Sequence, residues 1–325
     1  MEDATHILQA WVFDGKGGGK RIDKGKIAGK IKAKELAWVH LDAKEEKSRE
    51  WIHENVDYLD PIVISNLLAA DTRPRILELD NGFLLTLRGV NTNPAEEPED
   101  MVSLRMWIDP HRIITAERRT LQTIKDVAGR LENGKGPKDA GDFLTMVAST
   151  LFGYIEGALS KLSEQTDVVE EAILEDPDPD ERKEITDIRM QAIMFRRYIL
   201  PQCDVIGLLR ASDMEWLSHE NKRKLQENHD QLMRYVEDLD AIRERAQIVK
   251  DELQSILSDK LNKNLYVLSV VAAIFLPLGF LTGLFGINIG GLPGIDNPDA
   301  FMIFCVSLVG ITALQILIFR LLRWL

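Results

Sequence analysis

Two uncharged apolar stretches close the chain, Leu265 to Leu284 and Phe301 to Phe319, joined by a short loop that begins Gly286-Ile287-Asn288. Each stretch holds about 20 residues, enough at a helical rise of about 1.5 Å to cross a hydrocarbon core of about 30 Å. A buried soluble helix is the other reading of either stretch, but two joined by a short loop form the pattern of a membrane hairpin. Lys260 and Lys263 precede the first stretch, Arg320 and Arg323 follow the second, and no Lys or Arg stands between Lys263 and Arg320. The positive-inside rule then puts both termini in the cytoplasm and the loop from Asn288 to Ala300 outside. Met1 to Trp11 has no basic segment leading into an apolar core, so no cleavable signal peptide is expected.

The remainder of the chain is charged and reads as soluble. Its cysteines, Cys203 and Cys305, lie far apart in sequence, so a disulfide framework is not expected. The formal net charge of −12 opposes non-specific nucleic-acid binding and would concentrate cations near a membrane mouth. It serves solubility equally well.

Short strands are expected at Ala10–Phe13, Ala37–Leu41, Arg75–Leu79, Phe83–Val90, Met101–Ile108 and Arg112–Ala116, with turn signals at Asp80-Asn81-Gly82 and Asp109-Pro110. Helical pieces between them make this a mixed α/β layered domain. The basic, glycine-rich run from Lys16 to Lys34 lacks the spacing and the Ser or Thr of a phosphate loop, and reads as a solvated hairpin loop. After Asn133-Gly134-Lys135-Gly136-Pro137 strand alternation stops. Helices are expected from about Asp142 to Leu174, stopped by Asp176-Pro177-Asp178-Pro179, and from about Asp180 to Leu209, with a kink at Pro201.

A heptad seam follows. Leu225, Leu232, Leu239, Ala246 and Leu253 recur every seven residues, with Tyr235, Ile242, Val249 and Ile256 three places after four of them. Without Gly or Pro from Leu208 to Leu276, the seam can run into the first span as one helix of about 100 Å. The expected organisation is a cytoplasmic α/β domain over 1–136, a helical funnel and stalk over 137–263, a first span over 264–287, an outer loop over 288–300, a second span over 301–320 and a tail over 321–325.

Two helices cannot enclose a water-filled path, so a hairpin that moves anything must assemble around an axis, where each residue of one face becomes a ring. Asn262, Leu265, Ser269, Ala272, Leu276, Gly279, Gly283 and Gly286 form one such stripe. It carries no carboxylate, His or Cys, so a divalent ion stripped of water would meet only apolar walls, and the ion is expected to pass at least partly hydrated. Asn288 and nearby carbonyls would bind the water shell, while Leu265, Ala272 and Leu276 would gate by dewetting. Ordinary close packing of small residues explains the glycines of the stripe as well.

Gly286-Ile287-Asn288, after Pro277 and within two C-terminal spans, resembles the Gly-x-Asn signature of the CorA-like divalent cation transporters. Ile at the middle position and the following Gly290-Gly291-Leu292-Pro293-Gly294 are similar to the zinc-transporting ZntB branch, whereas magnesium channels of the superfamily usually carry Met there. Trp38-Val39-His40-Leu41-Asp42, Leu87-Arg88-Gly89-Val90-Asn91, Glu99-Asp100-Met101-Val102-Ser103-Leu104-Arg105 and Arg196-Arg197-Tyr198-Ile199-Leu200-Pro201-Gln202 are similar to that branch too. The resemblance implies a homopentamer in the bacterial inner membrane, with an α/β sandwich outside a cytoplasmic funnel and the first span of each pair lining the pore. It implies Zn2+ as the transported substrate, with Cd2+, Ni2+ or Co2+ as further cargo, and no cofactor. Members of the branch are described both as proton-coupled importers and as exporters, and direction stays open.

Zinc favours His and Cys ligands at about 2.0 to 2.3 Å. Cys203, His219 and His229 form no pair on one helical face; a looser site with Asp204, Asp230 or another subunit and plain packing are the two readings. His40 shares a strand face with Trp38 and Asp42, a pattern expected of a structural hydrogen-bond set. Cys305 reads as packing. Asp296 and Asp299 suit cation attraction at the outer mouth, and Asp296-Asn297-Pro298 equally suits a helix start. No paired nucleophile and base, phosphate loop or closed metal cluster points to an enzyme.

Overall fold

The structure, a computed structural model, describes residues 6–23, 26–31, 35–56, 59–70, 73–79, 82–287 and 297–322. Asn288, Asp296, the glycine run after Ile287 and the Asp80-Asn81 turn lie outside the described residues. The chain forms two compact units, Met1–Asp251 and Glu252–Leu325.

The first unit is built on a seven-stranded sheet. Its strands are β1 (Ile7–Phe13), β2 (Gly19–Arg21), β3 (Ala37–Asp42), β4 (Arg75–Leu79), β5 (Gly82–Gly89), β6 (Val102–Ile108) and β7 (Arg112–Glu117), ordered β2-β1-β3-β7-β6-β5-β4. All neighbours are antiparallel except β3 and β7, which run parallel. Strand alternation decides what each face buries. Val39, Leu41, Ile114 and Trp107 meet α1 (Ile27–Ile31), α2 (Glu46–Asn55) and α3 (Pro61–Leu67) on one side. Trp38 faces the other side, where its ring lies 5.0 Å from Phe143 of α5 (Ala140–Glu175), beside α4 (Gln122–Glu132). The result is a sheet covered by helices on both faces.

Strand β2 was not expected. The glycine-rich run is in part a β-hairpin, because Asp14 accepts hydrogen bonds from the backbone of Lys16 (2.7 Å) and Gly18 (2.9 Å) and folds the turn back onto β1. Those bonds hold the Asp14 carboxyl below the usual carboxylate range. Gly17, at φ 101°, takes a conformation that side chains disfavour.

Helices α5, α6 (Glu181–Ala211) and α7 (His219–Gly286) follow. Leu225, Leu232, Leu239 and Ala246 of α7 are all buried, so the heptad seam up to Ala246 is an interior contact of the first unit, and Leu253, in the second, is buried too. Its partner α5 runs parallel to it at a fixed register: Asp142 with Asn221, Ser149 with Asn228 and Glu156 with Tyr235 are hydrogen-bonded, each pair separated by 79 residues. Higher up, Arg245 joins Asp167 and Glu170. Helix α6 returns antiparallel, tied to α7 by Arg196 and Asp240 at 2.8 Å. The break between α6 and α7 needs no Gly or Pro. Ser218 and Asn221 cap α7 reciprocally, and Trp216 of the connecting turn packs on Phe83 at 5.5 Å.

Arg119 clamps the loop between β5 and β6, donating to Glu96 (2.8 Å) and Asp100 (2.6 Å). Asp100 is held low by Arg119; Glu96 is held low by the Asn91 amide first and Arg119 next. Carboxyls depressed in the folded state contribute stability above their unfolded values near 4, and lose it as pH falls through the folded ones. Glu99 has the opposite sign: burial raises its pKa, so ionising it opposes folding as pH rises past the ordinary glutamate value. Arg119→Ala is therefore expected to lower the thermal midpoint by roughly 1–2 °C at pH 7 and by less near pH 2.5. An equal loss at both pH values, read by circular dichroism of the solubilised protein, would assign Arg119 to packing instead of charge.

Candidate ion pathway

The second unit holds the end of α7 and helix α8 (Ala300–Leu321). Among the described residues, α5, α7 and α8 are long and apolar enough to cross a membrane. They differ in what surrounds them. The apolar window of α5 is half buried, with Phe143, Val147, Leu151 and Ile155 inside the first unit, whereas the windows of α7 and α8 have nothing buried. Bare apolar surface on that scale requires a lipid or protein neighbour.

The Ser and Thr hydroxyls of these helices are satisfied internally, as a hydrocarbon environment demands. Ser269 donates to the Leu265 carbonyl (2.8 Å), Thr282 to Leu278 (3.0 Å), Ser307 to Ile303 (2.8 Å) and Thr312 to Leu308 (2.8 Å). The two helices meet along a seam whose outer end is a groove of about 450 Å³ lined by Leu281, Phe285, Ala300, Phe304 and Leu308. The Phe285 and Phe304 rings meet there at 5.1 Å, tilted by 50°.

Half-buried residues of α7 mark its contact face: Val270, Ala273, Ile274, Leu278 and Leu281. At 100° per residue, Leu265, Ser269, Ala272, Leu276, Gly279 and Gly283 fall on the opposite side, with Asn262 and Gly286 at its flanks, and all eight are exposed. The stripe thus lies away from the half-buried face that α7 turns to α8. Leu276 is 72% exposed. Gly286 ends α7 and Ile287 follows in a bend.

At the start of α8 the cap differs from expectation. The N-cap residue is Asp299, its side chain makes no capping bond, and Pro298 lies before the helix. Instead the Asn297 side chain accepts from the Asp299 backbone at 3.0 Å, a local turn that leaves the exposed Asp299 carboxylate to solvent.

Cys203, His219 and His229 stand apart. Cys203 is buried in α6, its Sγ 3.5 Å from the Ile199 carbonyl, and burial pushes the thiol up to about 11, which disfavours the thiolate a metal needs. His219 is the exposed first residue of α7. His229 lies 3.5 Å from Asp230. Among the described residues no three His, Cys, Asp or Glu side chains are grouped to hold a metal.

The segments singled out in the sequence do converge in the first unit. Arg88 donates its backbone N–H to Gln202 (2.7 Å) and a guanidinium N–H to the Met101 carbonyl (2.6 Å), with its charge 4.6 Å from the Tyr198 ring. Trp38 donates to Thr115 Oγ1, and His40 Nδ1 shares that oxygen, each at 2.8 Å. Glu117 stands 3.4 Å from the other His40 nitrogen. Asp42 is outside this set and caps Lys44 at 2.8 Å. The partner strand β7 lies 75 residues away from His40, beyond the reach of local sequence reasoning.

Residues 33–321 match the family model described as CorA-like Mg2+ transporter protein. The divalent cation transporter CmaX of Pseudomonas aeruginosa is 34% identical over 99% of this chain and 98% of its own. The zinc transport protein ZntB of Pectobacterium carotovorum is 35% identical over 93% of this chain and 91% of its own. A solved structure of full-length CmaX superposes with a TM-score of 0.86, covering 99% of each chain. Sequence match, length and architecture agree across both units, and the chain belongs to the CorA-like family of divalent-cation transporters.

Proposed function

We propose that this protein carries divalent transition-metal cations, chiefly Zn2+ and secondarily Cd2+, Ni2+ or Co2+, through the central pore of a homopentamer in the bacterial inner membrane. One observation carries the reading: the uncharged stripe from Leu265 to Gly283 lies on the side of α7 opposite its α8 seam, and each of its residues is exposed. Cyclic assembly turns that stripe into the wall of a path, with α8 behind it toward lipid. In this reading 264–287 and 301–320 are the spans, 288–300 is the outer loop, and both termini stay in the cytoplasm beside the 1–136 and 137–263 regions. Gly286, Ile287 and Asn288 form the filter for a hydrated ion, and Asp296 and Asp299 draw cations to its mouth. Zinc is favoured by Ile287 and by the ZntB relatives. The chain acts without a cofactor and catalyses no reaction.

The test is zinc-indicator flux into liposomes holding the purified protein, with and without an inward proton gradient and with Mg2+ as competitor. Zinc entry that Mg2+ does not displace supports the reading, and the gradient arm decides coupling. Entry displaced by Mg2+ would overturn the zinc assignment in favour of a CorA-type Mg2+/Co2+ channel, to which the family description also points. As a gate, Leu276 sets a dewetted constriction. Leu276→Ser is expected to raise resting leak severalfold in the same assay, and unchanged leak would return Leu276 to packing.

A further inference from the structure

Three polar side chains occur in α8 between Ile303 and Phe319, and only two of them are satisfied. Ser307 and Thr312 each return a hydroxyl to the carbonyl one turn back. Gln315 does not. Its Oε1 is buried and has no hydrogen-bond partner, although Gln315 sits on the half-buried face of α8 with Leu308, Ile311 and Phe319. In hydrocarbon a carboxamide without a partner is costly.

Helix geometry puts an acceptor without its usual donor at the same level. The ring pair Phe285 and Phe304 sets the antiparallel register of the two helices. Counting eleven residues back along α7 and eleven forward along α8 brings Ile274, with Ala273 beside it, to the level of Gln315. Both are half-buried on the α8 side of α7. Pro277 lies inside α7 and has no N–H, so the Ala273 carbonyl has lost its donor four residues on. Directions agree as well. A side chain of α8 leans toward its own N-terminus, and in an antiparallel pair that is the way the carbonyls of α7 point. The carboxamide is therefore carried toward the gap between Ala273 and Pro277. A half-turn about its last torsion exchanges oxygen for NH2 in the buried position.

We propose that Gln315 donates a hydrogen bond to the Ala273 carbonyl left open by Pro277, making it a positioning residue that holds α7 against α8 where the α7 ladder is interrupted. Such an interruption is where a helix bends most easily. Ala272 and Leu276 flank the same gap on the far side of α7. The bond thus fixes from behind the level of Ala272 and Leu276, a consequence for flux that rests on the transport reading above.

A double-mutant cycle on the full-length solubilised protein tests it. Gln315→Leu should cut the folded-to-unfolded ratio roughly threefold to tenfold when Pro277 is present. In a Pro277→Ala background, where Ala restores the missing N–H, the same change should cost almost nothing. A second arm does not depend on how Pro277→Ala folds: Gln315→Glu, protonated at low pH, can again donate, and should exceed Gln315→Leu in stability there and fall toward it as pH rises. Equal cost of Gln315→Leu in both backgrounds, no cost in either, or no low-pH advantage of the glutamate overturns the proposal. Liposome flux is read in parallel. Because unfolding is measured independently of transport, a protein that carried no zinc would still decide the hydrogen bond.

Discussion

Asn288→Ala is expected to abolish selective metal uptake while leaving the protein assembled in the membrane. The stripe below the motif offers an ion no charge and, apart from Asn262 and Ser269, no polar side chain; Ser269 already spends its hydroxyl on Leu265. On the proposed reading, recognition would concentrate at Gly286-Ile287-Asn288, where the Asn288 carboxamide would meet the water shell of the cation. A hydrogen bond to a charged or strongly polarised group contributes about 1.5–3 kcal/mol, which corresponds to roughly 10- to 100-fold in flux for each ring of amides lost. Indicator flux measures the loss, and size-exclusion chromatography checks that assembly is kept. Wild-type flux from the variant would remove the filter from this motif.

Leu239→Asp is the second large effect, and it acts on folding. Leu239 lies fully buried in the heptad seam of α7. An unpaired buried charge either costs several kcal/mol or must be neutralised. The expected result is protein that does not reach the membrane in folded form. Leu239→Ala gives the graded version, about 2 to 5 kcal/mol by loss of contact and cavity formation, visible as a lowered thermal midpoint. A midpoint within a degree of wild type would show that the seam contributes little.

Much of this architecture is legible in sequence because period and punctuation coincide. Arg75–Leu79 was expected as a strand and is β4 to the residue, and the Asp-Pro pairs after Leu174 end α5 where expected. What was hidden depended on partners. The three residues of β2 carry no alternation that could announce a strand, and only the Asp14 turn reveals them. The pairing of His40 with Thr115 required knowing that β3 and β7 are parallel neighbours. The turn before α7 is made by Ser218, Asn221 and Trp216, none of which is a helix breaker by type. In the spans the difficulty was uniformity. Nearly every residue of Leu265 to Leu284 is apolar, so which side faces α8 emerges only from burial, and in the second span the carboxamide of Gln315 is the sequence signal for a helix contact.

The constant separation of 79 residues between α5 and its partners on α7 acts as a vernier. Asp142, Ser149 and Glu156 are spaced by one heptad, as are Asn221, Asn228 and Tyr235, so a slip of one residue breaks all three pairs at once and turns polar groups onto leucines. The next matching position is seven residues away, about 10.5 Å of travel, too far for an axial stroke of a packed helix. Sliding is closed to this stalk. Whatever signal travels along α7 must pass as tilt or bend, with the α5 contact serving as fulcrum.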